Sequence, residues 1–180
     1  MLVIMAGLPG TGKSTLSRAL AERGGGVVFD KDSIRAALFA PAQVEYSREQ
    51  DDFCQQIMLQ TAEYLLSRDR RLRVFLDGRP FSRRYQRRQL QAAAARLSTP
   101  CAFIECVCSE AAALARLRAD AAWGRHAAAN RTPALYARVK AEFEDFAEPR
   151  LTVNTDQPLA ECVRLAQAHL ESISRAFPDK

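Results

Sequence analysis

The sequence predicts an α/β fold built on a buried parallel sheet, and three observations carry that prediction. Five short apolar runs recur along the 180 residues, and segments of helical periodicity separate them. Most runs lack the polar alternation of a sheet with one wet face, as expected for strands covered on both sides. A glycine-rich turn joins the first run to the first helix, the punctuation of a strand–loop–helix unit.

The first run is Leu2–Ala6, followed by a helix over Lys13–Arg23. The second, Val27–Phe29, precedes a short helix over Ser33–Phe39 and a long one over Arg48–Ser67. In the long helix Phe53, Ile57, Gln60 and Tyr64 recur at three-to-four spacing. Val74–Leu76 leads into a helix over Ser82–Leu97, and Ala102–Val107 into helices over Glu110–Ala122 and Leu135–Phe146. Leu151–Val153 and a helix over Leu159–Ala176 close the chain. Strands alternating with helices argue for βαβ units. The stretch Trp123–Pro133 has weak periodicity and mixes Gly, His, Asn and Arg, so it reads as a mobile loop. With no repeat or low-complexity linker, residues 1–180 read as one domain.

Hydrophobic residues make up 48% and charged residues 26%, ordinary values for a globular protein. No apolar run approaches the ~20 residues that span a bilayer. Leu2–Ala6 is too short for a signal-peptide core. The expectation is a cytoplasmic protein without membrane contact. The five cysteines are odd in number and form no C-x-x-C pair, which argues for reduced thiols rather than zinc ligands. The net charge is +5 and the pI about 9.2. Nearly all the positive charge is arginine, the side chain for forked recognition of phosphate. That suits an anionic ligand without choosing between nucleotide and nucleic acid.

Gly7-Leu8-Pro9-Gly10-Thr11-Gly12-Lys13-Ser14 matches G-x-x-x-x-G-K-[ST] between a strand and a helix. Glycines let the backbone curl its N–H groups onto phosphate oxygens, and the helix adds its positive end. Gly10, Thr11, Gly12, Lys13, Ser14 and Thr15 are therefore the expected ATP-binding residues, with Lys13 on the β- and γ-phosphates and Ser14 on Mg²⁺.

Phosphoryl transfer needs a second constellation, at the carboxyl ends of the strands. Asp32 stands just past the second strand, where it can take the proton of an attacking hydroxyl or cap the following helix. Arg35, one turn on, faces the same cleft and could hold an anionic group of the acceptor. Asp30 reads as a cap or structural residue. Asp77 ends the third strand, placed to orient Mg²⁺ through a water or to touch the acceptor, and Arg79, also at the strand end, is a candidate substrate contact. Arg83, Arg84, Arg87 and Arg88 form two basic rows that read as a solvated face. Arg116, Arg118, Arg125 and Arg131 lie in or next to the weakly periodic stretch, where arginines closing over the site would neutralise transition-state charge. Thr155, just past the last strand, is expected to cap a turn or approach the adenine.

These residues resemble the small P-loop kinases often labelled AAA family ATPase, near polynucleotide 5′-hydroxyl kinases and chloramphenicol phosphotransferase-like and zeta-toxin-like kinases. The motifs carrying the resemblance are Gly7–Thr15, Asp32-x-x-Arg35, Asp77 with the arginines after it, and Thr155-Asp156-x-Pro158. It implies a three-layer αβα sandwich with a five-stranded parallel sheet in the order 2-3-1-4-5 and a mobile lid near residues 116–133. It also implies Asp32 as general base, Arg35 as acceptor anchor, Thr155 and Pro158 beside the nucleotide, and Arg116 as lid arginine. The lid departs from the family pattern: Asp120 stands where a second arginine is expected and Asn130 where an aspartate is, leaving Arg118 and Arg125 as alternatives to Arg116.

The expected activity is transfer of the ATP γ-phosphate to a hydroxyl of a small molecule, by a monomer or homodimer. A polynucleotide 5′-hydroxyl kinase is the alternative, suggested by the basic charge, so a nucleic-acid partner stays open. A nucleoside monophosphate kinase fits less well, because its ionised acceptor leaves Asp32 no proton to take. An ATP-driven switch lacks the acidic partner after Asp77, where Gly78 stands.

Overall fold

The computed structural model describes residues 1–123 and 131–177, the side chain of Trp123 excepted. Five strands form one parallel sheet: β1 (Leu2–Ala6), β2 (Val27–Asp30), β3 (Val74–Asp77), β4 (Cys101–Val107) and β5 (Leu151–Asn154). Their order is β2-β3-β1-β4-β5, as the resemblance implies. The α-helices among the described residues are α1 (Lys13–Gly24), α2 (Lys31–Leu38), α3 (Arg48–Arg68), α4 (Arg84–Arg96), α5 (Glu110–Trp123), α6 (Pro133–Ala141) and, after the last strand, α7 (Leu159–Ala176). Residues 124–130, in the predicted mobile loop, lie outside the described residues.

The sheet is apolar on both faces because alternate side chains of each strand enter different cores. Val3 and Met5 meet Leu16 and Leu20 of α1 and Val163 and Leu170 of α7. Leu2 and Ile4 meet Met58 and Leu66 of α3 and Leu90 of α4. Register matters at the carboxyl edge, where Asp30 of β2 pairs with Asp77 of β3.

Two helices differ from expectation. In α3 the buried stripe is Cys54, Met58, Ala62 and Leu66, displaced by one to two residues from the predicted stripe, while Phe53 and Tyr64 are exposed. Two interleaved apolar stripes leave the helix phase open to the sequence. Helix α6 stops at Ala141 rather than Phe146. Phe146 instead packs edge-on against Phe103 and under the guanidinium of Arg87.

Candidate active site

The phosphate loop lies between β1 and α1. Gly10 has φ +80°, and a Cβ there would sit 2.6 Å from the Ala113 carbonyl oxygen on α5, so only glycine fits. Lys13 folds back across the loop, its Nζ donating to the carbonyls of Gly7 at 2.8 Å and Leu8 at 2.7 Å. Burial pushes its ammonium down to about 8, against the pull of Asp77. Gly10, Gly12, Lys13, Ser14 and Thr15 line a cleft of about 840 Å³. Thr11 is off its lining, its hydroxyl bonded to the Leu8 carbonyl at 2.8 Å.

Asp77 closes β3 beneath this loop, fully buried. Its Oδ2 accepts from the Ser17 hydroxyl at 3.2 Å, and its Oδ1 has no partner. Burial raises its carboxyl, opposed by the charge of Lys13. Gly78 follows with φ +80°, and a Cβ there would come within 2.6 Å of the Lys31 nitrogen. The end of β3 therefore lies hard against the start of α2.

The helix cap is Asp30, whose Oδ1 accepts from the Ser33 N–H at 2.9 Å. Asp32 thus does not cap α2; it lies inside the first turn, 7% exposed, and lines the cleft. Its Oδ1 receives Lys31 at 3.0 Å and Arg35 at 2.7 Å. Both cations also reach Asp51 of α3, Lys31 at 2.7 Å and Arg35 through its second terminal nitrogen. Arg35, expected to face the acceptor, is buried beneath the Tyr46 ring and is not on the cleft lining. Its i, i+3 spacing from Asp32 spends the guanidinium on that carboxylate. Arg79 does line the cleft, held by Asp52 at 2.6 Å and Gln55 at 2.5 Å.

The predicted solvated arginine face divides. Arg84 and Arg88 are exposed. Arg83 lines the cleft, paired with Glu142 at 2.5 Å and Glu144 at 3.3 Å. Arg87 is fully buried, bonded to Glu148 at 2.8 Å and to the carbonyls of Phe81 and Asp145 at 3.0 and 2.6 Å.

Arg116 reaches the cleft from α5, but its donors go to the Thr155 hydroxyl at 3.0 Å and carbonyl at 2.8 Å. The Thr155 hydroxyl is 2.9 Å from the Thr11 carbonyl, so it buttresses the phosphate loop from behind. Neither Thr155 nor Pro158, which caps α7, is on the cleft lining. Arg118 is exposed and off the cleft, and Arg125 lies outside the described residues. Arg131 lines the cleft, pairs with Asp120 at 3.3 Å, and its charge presses on Lys13. Sequence reasoning assigned no site role to Lys31 or Asp51 and did not single out Arg131. Asp120 was the available signal for Arg131; Asp51 reads simply as a first-turn acidic residue.

Among the described residues no cluster of three or more His, Cys, Asp or Glu could hold a metal, and all five cysteines are free. No described helix is long and apolar enough to cross a membrane.

A parallel 2-3-1-4-5 sheet with a glycine loop leading into α1 defines the P-loop kinase fold. Residues 2–146 match the AAA domain model, and the chain belongs to that family. Solved structures share the fold. A protein of Chloroflexus aurantiacus j-10-fl superposes with TM-score 0.73 at 22% identity, covering 96% of this chain and 97% of its own. A gluconokinase from Sinorhizobium meliloti 1021 gives 0.68 at 22%, covering 97% and 93%. The Mycobacterium tuberculosis APS kinase CysC, in complex with AMPPNP and APS, gives 0.68 at 20%, covering 94% and 96%. Among curated proteins, no sequence matches the chain significantly.

Proposed function

We propose that the protein is an ATP-dependent kinase that moves the γ-phosphate onto a hydroxyl of a small molecule. The observation that carries this is convergence: the phosphate loop with Lys13 and Ser14, and Asp32 with one carboxylate oxygen unused, line a single cleft. Loop N–H groups and the α1 N-terminus receive the phosphates. Lys13 exchanges two carbonyl contacts for β- and γ-phosphate oxygens. Asp32 accepts the proton of the attacking hydroxyl.

The residues present fit Mg²⁺. Asp77 Oδ1 is buried without a donor, and Ser14 lines the cleft. Mg²⁺ takes few protein ligands and keeps several waters, so no larger cluster is needed. When bound, it supplies charge neutralisation and orientation of the phosphates. In this reading Arg131, not Arg116, meets the transition-state charge, because Arg116 spends its donors on Thr155 and the Gly10 carbonyl. Thr155 then serves the nucleotide by shaping the loop.

A small acceptor is favoured over a polymer because Lys31, Arg35, Arg79 and Arg83 are each held by carboxylates. A groove that tracks a nucleic-acid backbone needs cations free for phosphate. Arg18 and Arg138 line the cleft without a carboxylate partner among the described residues, which keeps a 5′-hydroxyl oligonucleotide as second reading. The cytoplasm, where ATP is plentiful, suits either.

Transfer from γ-labelled ATP to a panel of sugars, antibiotics, nucleosides and 5′-hydroxyl oligonucleotides tests the proposal. Salt-insensitive transfer to a small hydroxyl compound supports it. Transfer confined to oligonucleotides, falling steeply with salt, selects the second reading. ATP turnover unchanged in Lys13→Ala, with no acceptor phosphorylated, removes both.

A further inference from the structure

This inference rests on the kinase reading and narrows its acceptor. Lys31, Asp32, Arg35 and Asp51 form a closed square of two cations and two carboxylates. Lys31 lies 3.0 Å from Asp32 Oδ1 and 2.7 Å from Asp51 Oδ1, and Arg35 donates to the same two atoms. All four contacts fall on Oδ1, and no described residue donates to either Oδ2. Neither Oδ2 is sealed in the protein, since Asp77 Oδ1 is the one described carboxylate oxygen both buried and unpartnered. Asp32 is 7% exposed, and both carboxylates line the cleft. Each carboxylate therefore keeps one acceptor oxygen not spent within the square, and both residues line the same cleft.

A carboxylate oxygen accepts hydrogen bonds and donates none, so this pair suits a ligand that presents two donors. The geometry points to an acceptor that presents two neighbouring hydroxyls, one received by Asp32 and phosphorylated, the other gripped by Asp51. The hydroxyl oxygen on Asp32 bonds to the γ-phosphorus of ATP, and the bond from that phosphorus to the β–γ bridging oxygen breaks. The hydroxyl proton passes to Asp32 Oδ2, and ADP leaves. Asp51 keeps its charge and holds the second hydroxyl. The 5′ end of a DNA strand, with a single hydroxyl there, satisfies half of the pair.

The test uses the full chain with Mg²⁺ and ATP, and matched acceptors differing by one hydroxyl. These are D-ribose and 2-deoxy-D-ribose, D-glucose and 2-deoxy-D-glucose, and cis-1,2-cyclohexanediol and cyclohexanol, with a 5′-hydroxyl DNA oligonucleotide beside them. Wild type is expected to prefer the diol of at least one pair by about tenfold or more in kcat/KM, because a site built for a hydroxyl rejects the analogue lacking it. Asp51→Asn should raise KM for that diol by about tenfold, the order of one hydrogen bond to a charged group. The ratio of diol to deoxy rates should therefore fall toward one, whatever the variant does to the rate the two acceptors share. Should Asp51→Asn melt below the assay temperature, Asp51→Glu carries the test: it keeps the charge, displaces the oxygens, and must cut the preference in the same way.

Equal rates within every pair, or a preference that survives both variants, overturns the assignment. So does the oligonucleotide as best acceptor, or no transfer to any diol while Lys13-dependent ATP turnover persists; both leave the kinase reading standing. Absence of Lys13-dependent ATP turnover removes the kinase reading itself, and the diol assignment with it.

Discussion

Arg131 Nη1 lies 3.3 Å from Asp120 Oδ2, so the acid that interrupts the expected lid pattern holds an arginine of its own over the cleft. Arg131→Ala is expected to lower kcat by roughly 10²- to 10³-fold, the size of a lost transition-state donor, with little change in ATP affinity. Asp120→Ala should cost less, on the order of tenfold, because the guanidinium is loosened rather than removed. Arg116→Ala should weaken ATP binding more than it slows transfer, and Arg118→Ala should do neither. Single-turnover rates and nucleotide titrations on the four variants separate these effects. An inert Arg131→Ala beside a transfer-dead Arg116→Ala would return the lid role to Arg116.

Nucleotide affinity should depend on pH through Lys13. Burial lowers its ammonium to about 8 in the free protein, and bound phosphates raise it again. Binding therefore takes up a proton above about pH 8, and affinity should fall up to tenfold per pH unit until the bound-state value is reached. The free protein behaves in the opposite sense. An unfolded lysine at 10.5 holds more protons than the folded one at about 8, so this residue's contribution to stability rises with pH through that window. Titration with a fluorescent ATP analogue from pH 6 to about 9.5 checks the first sign, with Lys13→Ala as the variant that lacks the proton uptake.

Asp30 and Asp32 should separate cleanly. Asp30→Ala removes a cap and should cost about 1 kcal/mol of stability while folded enzyme keeps its turnover. Asp32→Asn should leave ATP affinity intact and lower kcat by roughly 10²-fold or more. Urea unfolding together with acceptor turnover gives both quantities. A normal rate in Asp32→Asn would reduce that carboxylate to a partner of Lys31 and Arg35.

Arg87→Ala should be the damaging change on α4. It leaves Glu148, itself almost buried, without its cation and breaks two bonds to carbonyls. The loss expected on breaking a buried pair is about 3 kcal/mol or more. Arg88→Ala, on the exposed face, should fall within about 0.5 kcal/mol of wild type. Equal unfolding midpoints for the two would refute the structural role of Arg87.

The phosphate loop was legible because its chemistry is contiguous. Strand, glycines, lysine and helix follow one another, and the backbone itself makes the cradle. The alternation of apolar runs and helices was legible for the same reason, and elements misjudged by a few residues still fall in order. The phase of α3 was not legible. Phe53–Tyr64 and Cys54–Leu66 are both helical stripes, and only the distance to the sheet decides which is buried.

The sequence by itself determined the P-loop, the α/β class and the presence of carboxylates and arginines near strand ends, since these depend on residues close in the chain. Tertiary structure alone decided how those charges are spent. It gave the cap to Asp30 and freed Asp32, buried Arg35 between two carboxylates, and brought Asp51 and Arg131 to the cleft. The physical reason is that an ion pair depends on separation in space, and Asp51 reaches Lys31 only because α3 packs beside α2.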